Sequence, residues 1–185
     1  MGFMDVSLTL SPGTYDFFLV GGGSGSPEPI GKVSSVWGGS GGGSGGYTFT
    51  EKGFVVDREL NFPVIIGAGG VVKTAGANTS IDLVEKTITA NGGTNQFAPG
   101  ADGDGYDTPS MKNGYSGGSG GASMSGQNGP RADGGSNGSN GVSSTQGRGT
   151  WDGGLGQGTT TRAFGEELGT LYAGGGGGAS YDDAT

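Results

Sequence analysis

Apolar and polar residues alternate through Val6-Ser7-Leu8-Thr9-Leu10, the mark of a strand with one buried face. Ser11-Pro12-Gly13 is turn chemistry, and Thr14–Val20 (TYDFFLV) follows with aromatic and β-branched residues, placing Tyr15, Phe17 and Leu19 on one face of a second strand. Tyr47-Thr48-Phe49-Thr50 alternates again. Glu51-Lys52-Gly53 reads as a turn, after which Phe54–Asp57 extends the pairing. Phe62-Pro63-Val64-Ile65-Ile66 is the most hydrophobic strand, and Ser80–Val84 with Thr87–Ala90 predicts a hairpin around Glu85-Lys86. Val33–Trp37 is a short strand or a loop edge, and Pro27 and Pro29 make residues 25–32 an exposed loop. Thr159–Phe164 and Thr170–Ala173 are expected to close the fold as strands around Gly165–Gly169. No segment carries a helical period.

Between these strands the pattern changes to glycine. In Gly114–Gly141 glycine recurs every third residue, at Gly114, Gly117 and Gly120, at Gly126 and Gly129, and at Gly135, Gly138 and Gly141. The same spacing joins Gly39, Gly42 and Gly45. A period of three matches an extended left-handed helix with about three residues per turn and no internal hydrogen bonds. Such a helix satisfies its backbone only from neighbours, and glycine permits the approach. The expectation is one all-β domain over residues 1–185, with β-sandwich strands and a bundle of polyglycine-II helices: mainly strands in 1–93, a glycine-helix insert in 94–158, closing strands and a glycine run in 159–185.

Composition sharpens the picture. Glycine (48) and proline (7) make up 55 of 185 residues, and only 30% are hydrophobic. Such a chain either stays disordered as a linker or replaces much of a normal core with backbone hydrogen bonding. The clustered apolar strands argue for the second. A net charge of −8 argues against nucleic acid, which needs a basic face. There is no cysteine to staple a fold and no histidine. No apolar run approaches the ~18 residues of a membrane helix, and no basic-then-apolar leader opens the chain. Met1-Gly2 resembles a myristoylation start, but Val6 stands where that motif needs Ser or Thr.

Candidate chemistry is sparse. GxSxG occurs at Gly38–Gly42, Gly42–Gly46, Gly117–Gly121 and Gly134–Gly138. A nucleophile elbow needs a strand–helix junction and a histidine base, so these matches are the coincidences of Gly/Ser-rich sequence. Gly67-Ala68-Gly69-Gly70-Val71-Val72-Lys73-Thr74 lacks the glycine directly before the lysine that a phosphate loop requires. Asp102, Asp104 and Asp107 put three carboxylates within six residues, as calcium loops do, but without the distal bidentate Glu. An acidic loop tip is the plainer reading, and neither a metal nor a cofactor is expected. The expected function is non-enzymatic binding. Trp, Tyr and Arg carry interface energy, which makes Phe97, Asp102, Asp104, Tyr106, Asp107, Met111, Tyr115, Arg131, Arg148 and Trp151 candidate contacts, beside Trp37 and Met124. For Trp37 and Trp151, capping the ends of the glycine bundle is an equal reading.

The ordered series YDFFLVGGGSG, GGYTFTEKGFVV, FPVIIGAGG, TITANGG and TRAFGEELGTLYAGGGGGA resembles the glycine-rich domains of bacteriophage and prophage tail proteins over nearly the whole chain. It is more distantly similar to the glycine-rich region of the anaplastic lymphoma kinase receptor family, and to the polyglycine-II adhesins at the fibre tips of T-even-like phages. Such domains often close with a further apolar strand, and none follows Gly178 here. The resemblance implies a TNF-like or jelly-roll-type sandwich with inserted glycine helices, a virion-tail or extracellular setting, and recognition of a bacterial surface protein or glycan. It also allows a purely structural module that assembles with other tail or filament subunits or with itself, a trimer being the oligomer that fits a TNF-like sandwich. Ice binding is disfavoured, because the Asn, Ser and Gln of the period-three faces form no regular flat array.

Overall fold

The computed structural model describes residues 3–26, 42–95, 114–122, 133–146, 149–151 and 153–177. The Val33–Trp37 segment and Gly39 lie outside them. Among the described residues eight strands run in order: β1 (Phe3–Leu10), β2 (Gly13–Val20), β3 (Thr48–Val56), β4 (Leu60–Gly67), β5 (Thr79–Leu83), β6 (Lys86–Ala90), β7 (Ser144–Gln146) and β8 (Gly149–Trp151). The helical content of the described residues is one 3-10 turn at Ala163–Gly165. The fold is all-β.

The first four strands form a single long antiparallel ribbon that folds over on itself. Leu10 pairs with Leu60 and Gly13 with Val56, so pairing resumes across the bends at Ser11-Pro12 and at residues 57–59. Pro12 and the Tyr15 hydroxyl, which donates to the Ser11 carbonyl at 2.9 Å, hold the first bend. Folding sends β1 and β4 into a four-stranded sheet of order β1-β4-β5-β6, and leaves β2-β3 as a two-stranded sheet. Both contribute to one core, with Phe17 and Leu19 of β2, Val56 of β3, Phe62 of β4, Ile81 and Leu83 of β5, and Ile88 and Ala90 of β6. Phe54 sits between Phe17 and Phe62, with ring centroids 5.8 and 6.1 Å away. Among the described residues the two sheets hold six strands.

Three local readings change in the structure. Glu51-Lys52-Gly53 is not a turn; β3 runs straight through it. The register slips so that Lys52 and Gly53 both oppose Asp16, a β-bulge. Gly53 takes φ +71°, and the Asp16 carboxylate accepts its N–H at 2.8 Å. Thr159–Phe164 and Thr170–Ala173 are not strands either: a lone bridge joins Arg162 to Leu171, and the chain between them loops. Phe164, at φ +56°, cannot continue a ladder, and its ring instead packs beside Phe18 on the outer face of β2, as does Tyr172. Finally, β7 and β8 pair antiparallel inside the 94–158 insert expected to be rich in glycine helix. The β5–β6 hairpin appears as expected, turning at Val84-Glu85.

Phe62 is fully buried, whereas the Asp16–Gly53 bond is exposed. Phe62→Ala should therefore cost about 3–5 kcal/mol, and Asp16→Ala about 1 kcal/mol. Urea unfolding of the two variants side by side measures both.

Candidate functional site

The glycine runs begin where the strands stop. β2, β4 and β6 end, and β3 and β5 begin, at one end of the sheets, where the Thr79 hydroxyl donates to the Val20 carbonyl of the facing sheet at 2.7 Å. In the strand layer, side chains hold stacked sheets about 10 Å apart; backbones that hydrogen-bond directly lie about 4.8 Å apart. Beyond the strands, glycine lets the second spacing replace the first.

The hydrogen bonds carry the expected period of three. Gly21 and Ser24 donate to the Tyr47 and Ser44 carbonyls (3.0 and 2.9 Å), while Gly22 and Gly25 donate to Ala77 and Thr74 (2.9 and 3.0 Å). Gly42 and Gly45 donate to Ala122 and Ser119 (2.7 and 3.1 Å), and Gly154 and Gln157 to Gly121 and Gly118 (2.7 and 3.0 Å). Donors three apart thus reach one antiparallel neighbour, and donors one apart reach different neighbours. The segment after β2 is bonded to those before β3 and β5 alike, so the two sheets merge into one backbone lattice. Its segments come from 21–26, 42–47, 67–77 and 91–95 as well as from 114–122, 133–142, 153–158 and 173–177. A Cβ on Gly42 would overlap the Gly176 carbonyl, and one on Gly154 the Tyr115 carbonyl. The proposed lattice glycines Gly42, Gly45, Gly114, Gly117, Gly120, Gly135, Gly138 and Gly141 are all buried. Gly138 differs from the rest in lying in a tight turn at φ +82°.

Polar side chains that the sequence reading passed over pin the lattice. The Ser44 hydroxyl, 3% exposed, donates to the Ser116 carbonyl at 2.8 Å, and the Ser44 N–H donates to Ser24 Oγ at 2.8 Å. Ser119 Oγ, fully buried, accepts the Gly138 N–H at 3.0 Å. The Gln157 side chain accepts the Thr48 N–H at 3.0 Å and donates to the Thr160 carbonyl at 3.2 Å. Their signal was the serine interrupting each glycine run, which is also the commonest residue of flexible linkers. Spacing alone does not separate the two roles.

The site lies at the lattice end remote from the strands. Gly42, Tyr115, Ala122 and Gly176 are mutually hydrogen-bonded there, since Tyr115 donates to Gly42, Gly42 to Ala122 and Ala122 to Gly176. Gly141 donates to Gly154 and Val142 to Asp133 at the same level (both 2.9 Å). Lys73 donates to Ser26, and the Asn95 amide to the Lys73 carbonyl at 3.1 Å. These residues are the points where the chain leaves the lattice and returns: Ser26 and Gly42, Asn95 and Gly114, Ala122 and Asp133, Ser143 and Gly153, and finally Gly177.

Every candidate contact residue but one belongs to a stretch that leaves from this end. Phe97, Asp102, Asp104, Tyr106, Asp107 and Met111 fall between Asn95 and Gly114, Arg131 between Ala122 and Asp133, and Arg148 between β7 and β8; all lie outside the described residues, as do Trp37 and Met124. The Trp151 backbone closes β8 opposite Ser144. Among the described residues no acidic cluster could hold a metal ion, and Asp102, Asp104 and Asp107 are not among them. Tyr115 is the exception and a correction. Its side chain is 4% exposed, because the chain turns back at Gly117–Gly120 and brings the Gly121 N–H onto the Tyr115 carbonyl at 2.9 Å. It is a lattice residue, not a surface contact.

Two expectations follow. Gly42→Ala and Gly154→Ala, which meet backbone, should each destabilise by about 3 kcal/mol or more. Gly174→Ala, which meets nothing within 4 Å, should stay within about 0.5 kcal/mol of the parent by thermal melting. Burial also pushes the Tyr115 phenol above its ordinary 10.0, with Lys73 pulling the other way. The folded state then holds this proton more tightly than the unfolded state, so the stability it confers is whole below pH 10.0 and drains as pH rises through the folded value. Phenolate absorbance should show a late-titrating tyrosine that disappears in Tyr115→Phe.

No curated protein and no solved structure matches the chain. The family model of the glycine-rich domain matches residues 4–185, which takes in every strand from β2 to β8, nearly all of β1 and each lattice segment. The chain belongs to the glycine-rich domain family.

Proposed function

We propose that this chain is a non-enzymatic recognition module of a phage or prophage tail, which binds a bacterial cell-surface protein or glycan. One observation carries the reading: the points where the chain leaves and re-enters the lattice gather at a single end of it. The connecting stretches are thereby anchored on a scaffold whose backbone groups bond one another, the arrangement in which binding loops are displayed on rigid supports. Anchoring both ends of each stretch lowers the ordering cost of binding. The stretches carry Trp37, Phe97, Tyr106, Arg131 and Arg148, residue types suited to anchor a partner. The net charge of −8 favours a partner with cationic or neutral polar groups over one rich in phosphate.

A second reading, a structural module assembling with tail or filament subunits, is favoured by a different observation, the open edge of β1. The fluorescently labelled chain, applied to a panel of bacterial strains beside a heat-denatured sample, separates the two. Recognition predicts saturable binding to a narrow set of strains, lost on denaturation and weakened about tenfold or more by Tyr106→Ala or Trp151→Ala without a change in Tm. Absence of binding to any strain, from a sample that still melts cooperatively, rejects recognition by this chain.

A further inference from the structure

β1 is an eight-residue strand at the edge of the four-stranded sheet, bonded only to β4 among the described strands. Edge strands are normally protected by lysine, proline, a bulge or a short span. β1 has none of these; its FMDVSLTL carries one charge, Asp5, and pairs with β4 in unbroken register from Phe3 to Leu10. Leu8 and Leu10 on its inner face pack against the core, but the start of that face extends beyond the two described strands of the opposing sheet. Met4 is 62% exposed, Val6 38% and Ile66 47%.

Gly67 donates its N–H to Thr79 Oγ1 on β5, and Ile65 registers with Ser80, so the odd-numbered residues of β4 turn their N–H and C=O toward β5. Pro63, with no N–H, falls in this set and costs β1 nothing. The even-numbered residues of β4 therefore bond β1, through their partners Met4, Val6, Leu8 and Leu10. The N–H and C=O groups of Asp5, Ser7 and Thr9 are left pointing out of the open edge.

We infer that this edge pairs with β1 of a second copy of the chain, antiparallel and centred on Ser7. Outward-facing residues must meet outward-facing residues, which restricts the register. Centring on Asp5 would set the two carboxylates opposite each other. Centring on Ser7 sets Asp5 opposite Thr9, and Ser7 opposite Ser7, each pair exchanging two hydrogen bonds. On the core face the same register sets Met4 against Leu10 and Val6 against Leu8, apolar on apolar, and shields the exposed Met4 and Val6. One strand sequence thus meets the hydrogen-bond, charge and hydrophobic requirements of pairing with itself. The two-fold axis stands perpendicular to the sheet, which becomes continuous over eight strands.

Sedimentation equilibrium of the full chain over a range of concentrations reads this without reference to cell binding, so its failure and that of the recognition reading are distinguishable. A monomer–dimer equilibrium is expected. Ser7→Pro removes an outward N–H that β4 does not use, and should weaken the dimer about tenfold or more, with Tm of the dilute monomer matching that of Ser7→Ala, which also loses the hydroxyl bond to Asn61. Ser7→Ala should leave the dimer intact. Thr9→Asp, which faces the partner's Asp5, should weaken it about fivefold, and adding Asp5→Lys should restore it. The charge pair tests the register even if Ser7→Pro disturbs the strand. A monomer at all concentrations, a trimer, or a dimer indifferent to these substitutions overturns the inference.

Discussion

The structure depends on backbones approaching closer than any side chain permits. Across a layer of Phe17, Phe62, Leu83 and Ile88 the backbones of two sheets cannot exchange hydrogen bonds. Their strands continue past Val20, Gly67 and Ala90 into glycine, and there the segment after β2 bonds directly to the segments before β3 and β5. The side-chain core fixes which strands face each other. The lattice then locks the same strands together by a different force, one that acts only where Cβ is absent. Each half specifies the other: without the apolar core the glycine segments have no register, and without the lattice a core this small holds few elements.

The cost of this solution sets its chemistry. Glycine loses more conformational freedom on folding than any other residue, and a buried N–H without a partner is expensive. The lattice therefore has to be nearly complete to be worth forming, which explains the hydroxyls inside it. Ser44 and Ser119 are small enough to enter and supply donors and acceptors where the backbone ladder has gaps, as at the Gly138 turn. Gln157 reaches the Thr48 N–H at the first residue of β3, where the lattice gives way to strand. Leucine or valine at these places would leave the Ser116 carbonyl and the Gly138 and Thr48 N–H groups without these partners.

The strand half was legible because it is held by side chains, whose alternation is written residue by residue. Tyr15, Phe17 and Leu19 face the core as their spacing requires, and the period of three matches donors three residues apart that reach carbonyls of one neighbouring segment. What spacing could not convey is which run neighbours which, since every glycine run offers the same backbone. The bulge at Gly53 was also hidden, because Glu-Lys-Gly serves a turn as well as an interrupted strand; the deciding contact is the Asp16 carboxylate, far away in sequence. Tyr115 was misplaced for a related reason. An aromatic in a glycine run reads as a surface ornament until the chain is seen to fold back over it.

Placement gives the two proposals opposite demands on geometry. The lattice continues from the Phe3 and Gly67 end of β1 and β4, and antiparallel pairing of β1 with its copy turns the second lattice the other way. The recognition ends of such a dimer point in opposite directions, so the two copies do not reach one flat surface together, and the gain in avidity available to linked sites on one target is lost. A pair arranged in this way is closed by its two-fold axis and is suited to joining two bodies. A monomer suits attachment to a single cell. The two proposals therefore meet at one strand: if recognition holds, an occupied β1 edge would make the fold a connector, and an open edge would leave a single-ended binder.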